Sequence, residues 1–445
     1  MPSAMKTAAT PKDMIDVDAL RIGMFVHLDV GWMSHPFPLS SFRIASADQV
    51  ATIRSLGLHR VRWSPQQSDL PPLPESNRRD FAQSAAAPLL DLLPGQTLAP
   101  TAAAPAVDPE TQARAEHRRL LAEQRAALGL CERQFAEAAQ ECKEIGEMVV
   151  LKPQQARANA EALSGALVRK MLDADELCIR LLSDAAGDKS TTHALNVAII
   201  SLLMGRTFGL AESEMLDLGV GSMLHDIGKI DVADRLRHRE DHFTAAEVRA
   251  YEEHVAHGVA IARRMGLSPG ATLVVAQHHE NADGTGFPLR INSDRMTACA
   301  RIVSIVNRYD NLCNPHLAAK ALTPHEALSL LFAQGKTKFD TAILGAFIKM
   351  MGVYPPGSAV QLTDDRYALV VGVNSMRPLK PRVMVHEPKV PRDEALVLDL
   401  ETVPGLGIRR SLRPQQLPDA SLEYLAPRPR VAYFFEPAPR SPEGR

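Results

Sequence analysis

The chain has 445 residues, 50 basic against 52 acidic side chains and a formal net charge of −2. That balance leaves no electrostatic footprint for DNA and no polybasic block for a membrane surface. It has no run of about 18 apolar residues, so no spanning helix is expected, and the opening MPSAMKTAATPKDMIDVD lacks the apolar stretch of a signal peptide. The five cysteines, Cys131, Cys142, Cys178, Cys299 and Cys313, are odd in number and never spaced CxxC, which argues against a disulfide framework and a cysteine zinc site. A cytoplasmic protein is expected.

In chain order, residues 1–81 read as an accessory module, α/β or β-rich. LRIGMFVHLDV, WMSHPFP and FRIASADQVATIRSLGLHRVRW alternate short apolar runs with turns, placing a helix near 47–57 and a strand near 59–63. Residues 82–110 are rich in Ala and Pro, a composition that builds no core, and read as a linker. Residues 111–152 form a connecting helix. Its apolar positions Leu121, Leu128, Cys131, Phe135, Ala138, Cys142, Ile145 and Val149 recur close to a heptad. That seam suits a helix packed on its own domain, and alternatively a parallel homodimer. Residues 153–352 carry helical periodicity and no long β-branched runs. From 353 to 437 the texture changes, and AVQLTDDRYALVVGVNSMRPLKPRVMVH reads as strands between turns, a small β appendage. Residues 438–445 read as a disordered tail. The fold class is therefore mainly α, a helical bundle with two small β-containing additions.

Eight of the fifteen histidines lie between 193 and 279. His193 follows KSTT at the start of an apolar helix. His225 and Asp226 end the apolar run LGVGSML. His254 heads a helix face continued by Gly258 and Ile261, and His278 and His279 end ATLVVAQ. Five imidazoles at apolar helix ends, with an aspartate able to bridge, form a donor set for borderline divalent metals. His238 and His242, in the charged RHREDHFT, read as solvated. Lys229 lies one turn after Asp226, where a cation can neutralise charge building on a phosphoryl group. In NADGTGFP, Gly284 and Gly286 make a tight loop whose backbone N–H groups can approach an anion.

Together, His193, HDIGK at 225–229, His254 with Gly258, HHE at 278–280 and DGTGFP at 283–288 resemble the HD-GYP family, a branch of the HD phosphohydrolases. The family's tyrosine is Phe287 here. VDALRIGMFVHLDVGWMSHPF also resembles a module of unknown function often found ahead of such domains. The resemblance implies an HD-type helical bundle and hydrolysis of cyclic di-GMP to the linear dinucleotide or GMP. The family holds two or three metal ions, often iron or manganese, and a hydroxide between two cations would attack the phosphodiester. It assigns His193 and His225 to one metal, His254, His278 and His279 to the other, and Asp226 to both. The carboxylate that serves a third metal in some members is Lys189 here, so two ions are expected. The family's aspartate ligand on a later helix falls at Asn307, with Asp310 one turn on. Its phosphate-contacting Arg and Lys fall at His316 and Ala319, with Lys320 adjacent. These departures leave a second reading, a domain that binds a cyclic dinucleotide or a protein partner without turnover.

Overall fold

Ser46 places an oxygen on the N–H of Gln49 and so starts the first helix of the N-terminal region. The computed structural model describes residues 14–28, 41–69, 108–183 and 187–438. The expected linker up to residue 107 and the expected disordered tail from 439 lie outside the described residues. The described residues up to Arg118 belong to one compact unit. It contains β1 (Met14–Asp16), β2 (Phe25–His27), β3 (Ser41–Arg43), α1 (Ala47–Ser55) and β4 (Arg60–Trp63). The strands form an antiparallel sheet ordered β1-β4-β2-β3, with Ile15 opposite Val61 and Val26 opposite Trp63. Val17, Met24, Val26, Leu28, Ile53 and Val61 fill the core. The helix and strand expected from the sequence are α1 and β4.

A second unit runs from Arg119 to the C-terminus. The helix α2 (Pro109–Met148) carries the chain into it, followed by α3 (Pro153–Leu172) and β5 (Leu177–Leu181). Along α2, Cys131, Phe135, Ala138, Cys142 and Ile145 are buried, as is Val149 just past its end, and Phe135 meets Phe434 edge-on at 6.4 Å. This part of the predicted seam is thus covered within the chain.

The bundle continues with α4 (Lys189–Thr207), α5 (Glu212–Met223), α6 (Ala245–Glu252), α7 (His254–Met265), α8 (Pro269–Gln277), α9 (Ala298–Cys313), α10 (Pro324–Lys338) and α11 (Thr341–Met351). Asp188 caps α4 by accepting from the N–H of Thr191. Nearly every residue of α4 from Thr191 to Gly205 is buried, as an all-round apolar helix must be.

The C-terminal strands are β6 (Ala359–Leu362), β7 (Tyr367–Asn374), β8 (Arg382–Val385), β9 (Val397–Asp399), β10 (Ile408–Leu412) and, after α12 (Asp419–Leu425), β11 (Tyr433–Pro437). They do not stand apart as an appendage. The antiparallel sheet is ordered β10-β6-β7-β5-β11, with β8 on β7 and β9 on β8, so β5 is gripped between β7 and the last strand. The sequence reading missed β5 because all five of its residues are buried, which erases the alternation that marks a half-buried strand.

Candidate metal centre

Each predicted histidine is presented by the end of a helix. His193 lies in the first turns of α4, and His254 opens α7. His278 follows the last residue of α8, with His279 next to it. His225 and Asp226 occupy the turn after α5, where Asp226 precedes a short 3-10 helix, Ile227–Asp231. The structure brings all six together. Ligand atoms of His193, His225 and Asp226 lie within 4.8 Å of one another, as do those of Asp226, His254, His278 and His279.

The two carboxylate oxygens face different pairs. Oδ2 of Asp226 is 3.7 Å from His193 Nε2 and 3.5 Å from His225 Nε2. Oδ1 is 3.5 Å from His254 Nε2 and 3.6 Å from His278 Nε2.

The outer ring nitrogens explain why the Nε2 atoms point inward. Nδ1 of His225 donates to the carbonyl of Ser222 at 2.7 Å, that of His254 to Tyr251 at 2.6 Å and that of His278 to Val275 at 2.8 Å. A carbonyl only accepts, so each neutral ring carries its proton on Nδ1 and a lone pair on Nε2. Nδ1 of His193 is held by Asp310 Oδ2 at 2.6 Å. The facing Nε2 atoms of His193 and His225 are then two lone pairs 3.2 Å apart, and those of His254 and His278 two lone pairs 3.4 Å apart. His279 Nε2 and Asp226 Oδ1 are buried and have no hydrogen-bond partner among the described residues. Buried polar atoms are normally satisfied. A cation among these lone pairs relieves all of these contacts, and neutral imidazole with carboxylate suits a divalent transition metal.

Electrostatics agree with that donor set. Burial holds His225 and His279 well below the usual imidazole range, and His254 at about 4, which keeps the rings neutral. Burial alone would raise the Asp226 carboxyl, but Lys229 foremost, with His225 next, outweighs it and holds it well below the usual range. Lys229 Nζ is 2.5 Å from Asp226 Oδ2. Burial would lower its ammonium, yet Asp226 carries it above the usual value. Its Nζ also sits 5.8 Å from the centre of the Tyr251 ring.

The other predicted residues have different surroundings. Asn307 is buried on α9, and its Oδ1 accepts from Asn311 Nδ2 at 2.6 Å. Asp310, one turn on, holds His193 through Nδ1. Gly284 N donates to Asn281 O at 2.9 Å, so that N–H is engaged within the loop rather than offered to an anion. A Cβ on Gly286 would lie 2.5 Å from the carbonyl of His279, so this glycine lets the loop pack on the histidine pair. The buried Glu280 carboxylate fixes the loop by accepting from the N–H groups of Leu289, Arg290 and Ile291 at 2.7, 3.1 and 3.1 Å. Lys320 is exposed and paired with Asp241 at 2.5 Å.

Sequence reasoning missed three features. Phe287 stacks on His279 at 4.4 Å and 24°. Tyr251 is buried between Lys229 and His254. His238 is exposed, as expected, but it also stacks on His316 at 4.1 Å, and partial desolvation followed by the Lys229 charge pushes it to about 4. Its partner lies far along the chain, and only chain closure brings the two rings together. His242 is exposed beside Glu240, as expected.

Residues 176–343 match the HD domain family, and residues 13–160 match DUF3391, a domain of unknown function. Residues 176–343 thus carry an HD domain. Cyclic di-GMP phosphodiesterase PA4108 of Pseudomonas aeruginosa is 26% identical over 377 residues, covering 83% of this chain and 84% of that protein. Cyclic di-GMP phosphodiesterase PdeB of Borreliella burgdorferi is 24% identical over 191 residues, 43% of this chain and 50% of PdeB. Among solved structures, Bd1817, a HDG"Y"P protein from Bdellovibrio bacteriovorus, overlaps 75% of this chain and 97% of its own at a TM-score of 0.41 and 14% identity.

Proposed function

We propose that this HD domain is a metal-dependent phosphodiesterase that opens cyclic di-GMP. The observation that carries the reading is the Asp226 carboxylate, each of whose oxygens faces its own pair of inward lone pairs. His193 and His225 would hold one divalent cation, His254, His278 and His279 a second, and Asp226 both. Such a pair supplies an activated water and positive charge beside the phosphoryl oxygens. The chain's own residues do the rest. Lys229, already beside Asp226, offers its ammonium to the charge that grows on the phosphoryl group. Asp310 orients His193. Phe287 stacks on His279, whose Nε2 is buried, and the Glu280-tied loop packs beside it. The names of the relatives PA4108 and PdeB support the substrate.

One observation favours the binding-only reading. Asn307 brings no charge, and its carbonyl oxygen is already engaged by Asn311, so no second carboxylate joins Asp226 at one cation position, which would be held more weakly. The test is metal content of the purified protein alongside cyclic di-GMP hydrolysis with iron or manganese. Hydrolysis that rises with added metal, and a gain at limiting metal from Asn307→Asp, supports the enzyme. Tight dinucleotide binding with no turnover at saturating metal supports the alternative.

A further inference from the structure

A cavity of about 240 Å³ opens beside His193. Its walls come from stretches far apart in the chain. The start of α4 contributes Lys189, Thr192 and His193 itself, and the segment before β11 contributes Arg428 and Arg430, with Asn314 between. Three cationic side chains face the same space. Among the described residues, the one carboxylate in the lining, Asp188, is turned onto the first turn of α4, where Oδ1 accepts from Thr191 N at 2.9 Å. Among the described residues neither Arg428 nor Arg430 has an ion-pair partner. Lys189 Nζ donates to the carbonyl of His316 at 3.4 Å.

The segment that carries the two arginines is fixed to the metal centre. The carbonyl of Val431 accepts from Asn196 Nδ2 and Asn314 Nδ2, both at 2.9 Å. The N–H of Val431 donates to Asn314 Oδ1 at 2.9 Å, and that of Tyr433 to Asn196 Oδ1 at 3.0 Å. The same two amides donate to Asp310 Oδ1 at 2.8 and 2.9 Å, while Asp310 Oδ2 holds His193. Four hydrogen bonds to the segment's backbone and two to Asp310 thus tie residues 431–433 to a histidine of the centre.

We propose that this cavity is a phosphate subsite, in which Lys189, Arg428 and Arg430 hold the second, non-reacting phosphate of the cyclic dinucleotide. The inference rests on the proposed activity. Both phosphates of such a substrate lie in one small ring. With the reacting phosphate at the histidine cluster, the other must sit close by, and His193 belongs to both cluster and cavity. Arginine matches a phosphate with two parallel N–H donors, which a lone carboxylate cannot oppose.

The test is the full-length Arg428→Ala/Arg430→Ala protein loaded with manganese, read by calorimetric binding of cyclic di-GMP and by its hydrolysis. Charge-assisted contacts of this kind predict Kd and KM raised at least about tenfold. The expected effect on kcat is smaller, bound metal per chain stays constant, and the double Lys substitution recovers part of the loss. Unchanged Kd and KM in the variant, with the wild type binding the dinucleotide, overturn the subsite and leave the activity standing. A loss of metal, or an equal loss in bis(p-nitrophenyl) phosphate hydrolysis, also overturns it, because the arginines would then act through the centre itself. A wild type that hydrolyses bis(p-nitrophenyl) phosphate but neither binds nor hydrolyses cyclic di-GMP overturns the substrate reading, and the subsite with it.

Discussion

Among the described residues, Asp226 is the one carboxylate that reaches both halves of the histidine cluster, and four imidazoles lie within 3.7 Å of its oxygens. Asp226→Ala should therefore leave the purified protein with little metal, as measured by elemental analysis, and near-normal content would remove the bridge from the scheme. Lys229 is a separate matter, since its ammonium meets the site through Asp226 and not through a ring nitrogen. Lys229→Ala should keep its metal and lose about 100-fold or more in kcat, the scale of one deleted electrostatic donor. Equal turnover in the two proteins would assign the lysine to structure alone. The cluster was legible in the sequence because histidines rarely end apolar runs without a partner. What surrounds it was not. Asp310 reads as an aspartate one turn from an expected ligand, and only the 2.6 Å contact with His193 gives its role. Arg428 and Arg430 lie in APRPRV, which has no motif at all.

Helix ends must come very close for these rings to converge, and glycine makes one such approach feasible. A Cβ on Gly228 would stand 1.9 Å from the carbonyl of His254 and 2.3 Å from the nitrogen of Gly258. The 3-10 turn that carries Asp226 thus lies directly on α7. Gly228→Ala must push α7 away and draw His254 off Asp226. Overpacking of this kind costs about 1–3 kcal/mol. The expected outcome is a lower Tm together with reduced metal content, seen by calorimetry and elemental analysis. A variant with full metal content and unchanged Tm would mean the turn and α7 separate freely. The sequence marked Gly258 one turn after His254 as part of a pattern, but a pattern cannot say that its partner is Gly228. The same limit hid β5. Its five residues lie between helices and are buried throughout, so a run of Leu, Cys and Ile reads like helix interior until β7 and β11 supply hydrogen bonds on both sides.

Across the second unit, the last strand is held by a buried charged cluster as well as by pairing. Glu436 accepts from Arg382 at 2.7 Å and Arg180 at 3.4 Å, and Cys131 of α2 reaches it at 3.7 Å. Beside it Lys170 of α3 bonds Gln134 of α2 and places Nζ 4.6 and 4.8 Å from the rings of Phe434 and Phe435. Burial is the leading cause that lowers the Lys170 ammonium from 10.5 to about 8. Below about pH 8 both folded and unfolded chains carry this charge, so the cost of burying it is present in full. Between about 8 and 10.5 the unfolded chain binds a proton that the folded chain has lost, and stability rises with pH. Lys170→Met keeps the packing length without the charge. It should be more stable than the wild type at pH 7 by up to ~3 kcal/mol, less whatever the Gln134 and ring contacts contribute. That advantage should shrink steadily between pH 8 and 10.5. Urea unfolding of the two proteins at pH 7 and pH 10 measures it. The cysteines nearby titrate in both proteins and cancel in the difference. A gap that stays the same at both pH values would mean that the lysine is charged in the folded chain throughout, held by Glu436 and the rings against the cost of burial.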